Sequence, residues 1–160
     1  MDRDMQEVKV LCFRLGRNTY ALDIMRVREI VKPQKLSGLP EASSFVEGVI
    51  NLRGAIIPVV DLRKKFGFSE NGYSGECRLL ITVVAGQLVG LIVDAVTEVV
   101  TIPIRDLRPP PSVVKVAGYR YLLGVCLVKE VMVMLVNLDA IFGNAVPRGL
   151  PGLRAEAGKI

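Results

Sequence analysis

The sequence predicts a mostly β protein of two small, closed β-barrels stacked in one chain, with only short helices. Apolar, β-branched runs are short and separated by turn residues, which is typical of strands. A segment of about 70 residues with about five strands occurs twice. Hydrophobic residues make up 51% of the 160-residue chain, so a real core is available and disorder over most of the chain is excluded.

The chain begins with a strand, a turn and a returning strand. Residues 8–15 form the first strand, residues 16–19 contain the Gly and Asn of a turn, and residues 20–23 return. Residues 27–31 extend the sheet or bridge to the next element.

A break and a hairpin follow. Gly and Pro in residues 37–40 interrupt the strands, and one helical turn is expected at residues 41–45. Residues 49–52 and 55–60 then flank Arg53-Gly54, a tight turn in which glycine can supply a positive φ.

A short helix and a second strand pair come next. Asp61 can cap a helix that runs through Phe66 and ends at Gly67. The uncharged stretch at residues 79–93 is interrupted by Gly86-Gln87. It is shorter than the about 20 apolar residues of a membrane helix, so two strands are predicted.

The second half of the chain repeats these elements. Residues 48–67 align without gaps on residues 124–143 at an offset of 76, and the part before them aligns at an offset of 69. Matching positions include Glu29/Glu98, Gly48/Gly124, Arg53/Lys129, Asp61/Asn137 and Phe66/Phe142. We therefore expect an internal duplication.

The composition excludes several classes of site. The chain has no His, which removes imidazole-based catalysis and His-ligated metal centres. Cys12, Cys77 and Cys126 are too far apart for a zinc or redox pair, and buried thiols are expected at Cys12 and Cys126. With no signal peptide at the N-terminus, these features predict a soluble, cytoplasmic protein without bound metal or cofactor.

The net charge of +5 raises the question of nucleic-acid binding. The only basic run is Arg63-Lys64-Lys65, and no aromatic residues are interleaved with it. A solvated helix face explains this run better, so no nucleic-acid partner is expected.

Two acidic residues that end apolar strands, Asp61 and Asp94, are candidates for a catalytic pair. Cap or turn roles explain them better, because Asn137 stands at the counterpart of Asp61 and cannot act as a general base. The sequence therefore predicts no catalytic residues and no enzyme.

Arg53 and Glu29 each leave two interpretations open. Arg53 is either a solvated turn residue or a side chain whose planar guanidinium reaches another module or partner. Glu29 alternates with apolar neighbours, which by itself indicates an outward-facing strand residue.

Four segments carry a resemblance to a known family. Residues 45–63 read FVEGVINLRGAIIPVVDLR, residues 20–24 and 27–31 read YALDI and VREIV, and residues 89–96 read VGLIVDAV. These segments resemble the CheW-type chemotaxis coupling proteins. The resemblance extends from about residue 8 to residue 142, nearly the whole chain, and it is far more specific than a short motif.

This resemblance implies two intertwined, five-stranded, SH3-like barrels around a shared hydrophobic interface. It also implies a non-catalytic adaptor that links the cytoplasmic tip of a chemoreceptor to the regulatory domain of a CheA-type histidine kinase, in receptor arrays at the inner face of the membrane and without inserting into it. The alternative is a regulatory or inhibitory module of another two-component pathway serving motility, pili or development.

The resemblance also assigns residues. The kinase-facing residues are Val27, Glu29 and Gly48, and the receptor-contacting or coupling residues are Arg53 and, more weakly, Leu79 and Ile81. The structural residues of the motifs are Asn51, Leu52, Gly54, Pro58, Asp61 and Asp94. The expected division is a first barrel at residues 15–85, a second at residues 86–143 with strand 8–14, a linker stiffened by Pro109-Pro110-Pro111, and a flexible tail at residues 144–160.

Overall fold

The computed structural model describes residues 6–38, 46–68, 74–110 and 118–142, and most of them lie in strands. The strands are β1 (Glu7–Leu15), β2 (Asn18–Asp23), β3 (Val27–Val31), β4 (Val46–Leu52), β5 (Ala55–Asp61), β6 (Arg78–Val84), β7 (Gln87–Val93), β8 (Ala95–Pro103), β9 (Leu122–Val128) and β10 (Val131–Val136). The α-helices are α1 (Leu62–Lys65) and α2 (Leu138–Phe142). The prediction of a mostly β protein with short helices is confirmed. No helix in this part of the chain has the length and apolar character needed to cross a membrane.

The strands form two five-stranded sheets. The first sheet has the order β3-β6-β7-β5-β4, and the second has the order β8-β1-β2-β10-β9. The expected closed barrels are incomplete, because hydrogen-bonded pairing does not join the two edge strands of either sheet. One isolated bridge partly closes each sheet. In the first sheet, Ser37 in the segment after β3 bridges to Val49 of β4, and in the second sheet, Arg108 in the segment after β8 bridges to Val125 of β9.

The internal duplication is visible in the topology. The elements β1 to β5 and α1 are followed by β6 to β10 and α2 in the same order. Each sheet combines a hairpin from one repeat with three strands from the other: β1 and β2 join β8 to β10, and β6 and β7 join β3 to β5. Because each repeat completes the sheet of the other, the two halves are intertwined, as expected.

The division of strands differs from the expected boundaries at residues 15 and 86. β2 belongs with β1 in the second sheet, and β7 belongs with β6 in the first sheet. The reason is that β1–β2 and β6–β7 are hairpins with two-residue turns. The last paired residues before these turns are Leu15 with Asn18 and Val84 with Gln87. So short a turn holds its strands side by side in one sheet. The helical turn expected at residues 41–45 and the tail expected at residues 144–160 lie outside the described residues.

The largest apolar cluster lies between the two sheets. It includes Tyr20, which is fully buried on β2, and Phe66, which follows α1; their ring centroids are 5.1 Å apart at an interplanar angle of 77°. Two smaller clusters of buried apolar residues lie one in each half, among the strands of the second sheet and among the strands of the first. Cys12 and Cys126 are buried as expected, and burial together with Glu98 raises the thiol pKa of Cys12 to about 11. The apolar interface therefore holds the two sheets in a fixed relation.

A buried ion-pair network crosses this interface. Asp61 caps α1 by accepting a hydrogen bond from the Arg63 backbone N–H at 3.0 Å, as expected for a cap. Arg63 Nη2 lies 2.8 Å from Asp61 Oδ2, and Arg63 Nη1 lies 3.4 Å from Asp94 Oδ1. Asp94 Oδ2 in turn accepts from the backbone N–H of Gly16, 2.7 Å away in the β1–β2 turn.

Arg63 therefore does not belong to the solvated face predicted for residues 63–65. Its side chain is 4% exposed, and the hydrogen bond that its guanidinium donates to Asp61 is the main cause that raises the pKa of that guanidinium. Lys64 does fit that prediction, since it is half exposed and pairs with Glu47 at 2.9 Å.

Candidate functional site

The β4–β5 hairpin presents Arg53 at its turn. Arg53 and Gly54 both have left-handed backbone conformations, with φ of 50° and 90°. Such a turn matches the twist of the flanking strands, and glycine accepts it without strain. Asn51 Oδ1 accepts a hydrogen bond from the Gly54 N–H at 2.9 Å, and Leu52 pairs with Ala55 to close the hairpin. These contacts fix the position from which the Arg53 side chain leaves the turn.

Arg53 reaches back to the first sheet's edge strand, β3. Its Nη2 lies 2.5 Å from Glu29 Oε2, so the guanidinium pairs with a carboxylate instead of standing alone in solvent. This hydrogen bond lowers the pKa of Glu29 and raises that of Arg53. An exposed pair contributes little to stability, so its main effect is to fix two charges in one geometry.

The ion pair stands at the rim of a small pocket in the first sheet, which we call the β3 pocket. Its volume is about 240 Å³. The pocket is lined by Arg28, Glu29, Leu52, Arg53, Ala55, Ile57, Ile81 and Leu88. The structure thus brings together Glu29, which the resemblance assigns to the kinase, with Arg53 and Ile81, which it assigns to receptor contact or coupling.

The remaining apolar candidates lie below the surface. Leu79 and Ile81 are each 1% exposed on β6, and they pair with Val31 and Glu29 of β3. Val27 is half-buried and packs against the inter-sheet core. Leu79 is therefore a core residue, whereas Ile81 also lines the β3 pocket.

Gly48 is buried where β4 meets the chain that follows β3. A Cβ atom at this position would lie 2.6 Å from the Ser37 backbone oxygen. Ser37 makes the bridge to Val49 that links the two edges of the first sheet. The glycine is thus needed for a close backbone contact, which a residue with a side chain would push apart.

A larger groove, which we call the inter-sheet groove, runs between β3 and β6 of the first sheet and β1 and β8 of the second. Its volume is about 660 Å³, and it is lined by Arg14, Ile30, Gly75, Glu76, Arg78, Ala95, Val96 and Thr97. Arg14 and Glu76 form an ion pair at 2.6 Å across it, and Ile30 is 42% exposed. The sequence analysis did not identify these residues, although the alternation of Val27 to Val31 places Ile30 opposite Glu29.

The second repeat carries a weaker copy of the ion pair. Lys129 and Glu98 stand at the positions equivalent to Arg53 and Glu29, and their charged atoms are 3.7 Å apart. Both side chains are more exposed than those of the first pair. The close pair and its pocket are therefore a property of the first sheet.

Comparisons with known proteins give a consistent result. Residues 9–146 match the family model described as the CheW-like domain. The chemotaxis protein CheW of Rhizobium meliloti is 34% identical over 134 residues, which cover 84% of this chain and 86% of that protein. The CheW of Klebsiella aerogenes is 31% identical, over 84% of this chain and 81% of that protein. The crystal structure of the scaffolding protein TtCheW from Thermoanaerobacter tengcongensis superposes with a TM-score of 0.80 at 37% identity and covers 89% of this chain and all of that one.

Proposed function

The chain belongs to the CheW-like domain family, a family of chemotaxis scaffold proteins, and from this premise we propose that it couples the cytoplasmic tip of a chemoreceptor to the regulatory domain of a CheA-type histidine kinase. The proposed adaptor catalyses no reaction. Contact with a receptor tip would bring it into receptor arrays at the inner face of the membrane.

The observation that supports this proposal is that β3 borders two different concave surfaces, the β3 pocket and the inter-sheet groove. Glu29 faces the β3 pocket, and the next residue, Ile30, faces the inter-sheet groove. Successive side chains of a strand point to opposite sides, so a single strand can contact two partners at once. That arrangement suits a protein whose task is to hold two others together.

We assign the β3 pocket side to the kinase. Val27 and Glu29 lie on this edge strand, and Gly48 supports it through the Ser37 bridge. The rim carries Arg28, Glu29 and Arg53 above an apolar floor, the combination of a buried centre and a charged rim that gives an interface its orientation.

We assign the inter-sheet groove to the receptor helix. Ile30 and Val96 supply apolar surface, and Arg14, Glu76 and Arg78 supply rim charges. An amphipathic helix binds such a groove through its apolar face. Leu79 and Ile81 then act indirectly by shaping β6, and Arg53 couples the two surfaces through its contact with Glu29.

Signal transmission requires unequal binding. The adaptor can shift the kinase equilibrium only if it contacts the receptor's signalling states with different free energies. A shared strand provides the route, because a displacement of β3 in the groove also moves Glu29 at the pocket.

The experiment is a calorimetric titration of the chain with the kinase regulatory domain and, separately, with the cytoplasmic fragment of a receptor encoded near it. Glu29→Lys is expected to weaken kinase binding about tenfold or more and to spare the receptor, and Ile30→Lys is expected to do the reverse. Wild-type chain that binds neither partner would contradict the proposal. If the chain instead binds the kinase, inhibits it and does not couple it to a receptor, the result favours the alternative, which is a regulatory or inhibitory module of another pathway.

A further inference from the structure

One end of the inter-sheet groove carries two positive charges. The ladder between β3 and β6 ends with Val31 paired to Leu79. One step further along both chains, Lys32 comes to lie beside Arg78. Arg78 lines the groove, and Lys32, which directly follows β3, is exposed on the same side as Ile30, two residues before it. The two cations therefore stand together at the end of the groove wall that β3 and β6 form.

The second repeat has the same two positions in a paired ladder. Lys9 of β1 and Thr101 of β8 stand at the positions equivalent to Arg78 and Lys32, and they pair directly. There one cation faces an uncharged hydroxyl, whereas two cations meet in the first sheet. Like charges on opposite positions of neighbouring strands repel each other and destabilise a sheet. Folding alone therefore gives no reason for a second cation at Lys32, and an anion bound between the two cations would remove the repulsion.

Neither cation is neutralised within the described part of the chain. No described Asp or Glu lies within ion-pair distance of Lys32 or Arg78. Arg78 Nη1 donates to the Gly75 and Cys77 carbonyl oxygens, at 2.9 and 2.7 Å. These bonds hold the guanidinium in place without cancelling its charge. Both use the same nitrogen, so the N–H groups of the other two nitrogens stay available to a ligand.

The other charges of the groove already cancel. Arg14 of β1 and Glu76, which precedes β6, pair at 2.6 Å and join the two walls of the groove. Ile30 and Val96 add apolar surface to the same groove. An occupant thus meets apolar surface together with uncompensated positive charge, and this combination is complementary to an apolar stripe edged by a carboxylate.

We propose that Lys32 and Arg78 bind a carboxylate of the receptor helix, so that the helix in the groove carries an Asp or Glu beside its apolar stripe. The proposal rests on the receptor contact of the proposed function and adds the chemistry of the helix. The planar Arg78 guanidinium offers paired N–H donors to a carboxylate, and Lys32 adds a point charge on a flexible stem. Because the two cations occupy one end of the groove, their contact fixes the direction and register of the helix.

The test is calorimetric titration of the full chain with the cytoplasmic fragment of the receptor at low and high salt. Lys32→Glu is expected to weaken receptor binding about tenfold or more and to reduce its salt dependence, because it places a carboxylate opposite a carboxylate. Arg78→Lys keeps the charge but loses the paired donors, so a smaller loss is expected. The matched control is Lys9→Glu, which makes the same charge change at an exposed cation of the equivalent ladder and is expected to alter the affinity by less than about twofold.

Charge exchange identifies the carboxylate. Each Asp and Glu beside the apolar stripe of the receptor helix is replaced by Lys in turn, and one such fragment is expected to bind the Lys32→Glu chain better than it binds the wild type. A Lys32→Glu chain that binds the receptor as tightly as the wild type overturns the proposal and leaves the proposed function in place. So does a weakened Lys32→Glu chain that no exchanged fragment rescues. A wild type that does not bind the receptor fragment overturns both.

Discussion

Arg53 Nη2 lies 2.5 Å from Glu29 Oε2 and joins the β4–β5 turn to the edge strand β3. The sequence assigned Glu29 to a kinase contact and Arg53 to coupling, whereas in the structure the two residues form one ion pair. A partner that engages one of these charges changes what the other can bind. By thermodynamic linkage the effect is reciprocal, which gives the two proposed partners a direct way to influence each other.

Arg53→Glu is therefore expected to abolish receptor control of the kinase without unfolding the protein. The exposed turn charge contributes little to the core, so the melting temperature should stay close to that of the wild type. The measurement is kinase activity in a reconstituted receptor–kinase–adaptor assembly, alongside a thermal melt. The double variant Glu29→Lys/Arg53→Glu forms the ion pair again with its charges exchanged. Restored control in this variant would show that the ion pair matters, and absent control would show that the specific charge at each position matters. A large fall in melting temperature would assign Arg53 a structural role instead.

The Glu29 carboxyl is expected to titrate below the ordinary range of a glutamate. The hydrogen bond from Arg53 is the main cause that lowers its pKa from the usual 4.5. Because the folded pKa is lowered, the pair's contribution is complete above pH 4.5 and is lost as the pH falls through the lower, folded value. Carbon-detected NMR of the side-chain carboxyl measures the midpoint. Arg53→Ala should return it toward the ordinary value, and an unchanged midpoint in that variant would mean that the ion pair does not persist in solution.

Gly48→Ala is expected to destabilise the protein by about 1–3 kcal/mol, because its Cβ would lie 2.6 Å from the Ser37 backbone oxygen. Urea unfolding measures the change. Gly38→Ala is the matched control, since a Cβ there meets nothing within 4 Å, and an effect within about 0.5 kcal/mol is expected. Loss of kinase binding in Gly48 variants should accompany loss of stability. A Gly48→Ala protein of wild-type stability that fails to bind the kinase would instead make Gly48 a direct contact.

Local patterns predicted most strands, the hairpin turns and the duplication, because strand alternation and turn chemistry act over a few residues. The exchange of hairpins between repeats was predicted only in part, since residues 8–14 were expected in the second barrel but β2 was expected in the first. β1 and β2 can complete either sheet by local criteria, and only long-range packing, such as Tyr20 against Phe66, selects one.

The candidate site was predicted in part for the same reason. The motif around Arg53 and the alternation around Glu29 are visible in the sequence, but their contact spans 24 residues and two strands. The inter-sheet groove is formed by residues from four strands, so no single segment indicates it. Arg63 was assigned to a solvated face because two lysines follow it. Its guanidinium pairs with Asp61, two residues before it, and also with Asp94, which lies 31 residues away in the sequence.

Arg63→Ala is expected to be the most destabilising of these substitutions, at about 3–5 kcal/mol, because it leaves Asp61 buried at the sheet interface without its cation. The control is Lys64→Ala, which removes the neighbouring exposed pair with Glu47 and should cost about 1 kcal/mol or less. Urea unfolding of both variants measures the difference.

The second repeat indicates how the Arg63 loss can be relieved. There Asn137 replaces Asp61, and its Oδ1 accepts a hydrogen bond from the Ala140 N–H at 3.2 Å, so an uncharged side chain can cap the equivalent helix. Asp61→Asn combined with Arg63→Met removes both buried charges, keeps a cap and is expected to be more stable than Arg63→Ala. If the double variant is no more stable than the single one, the cost lies in the lost packing of the Arg63 side chain and not in the unpaired carboxylate.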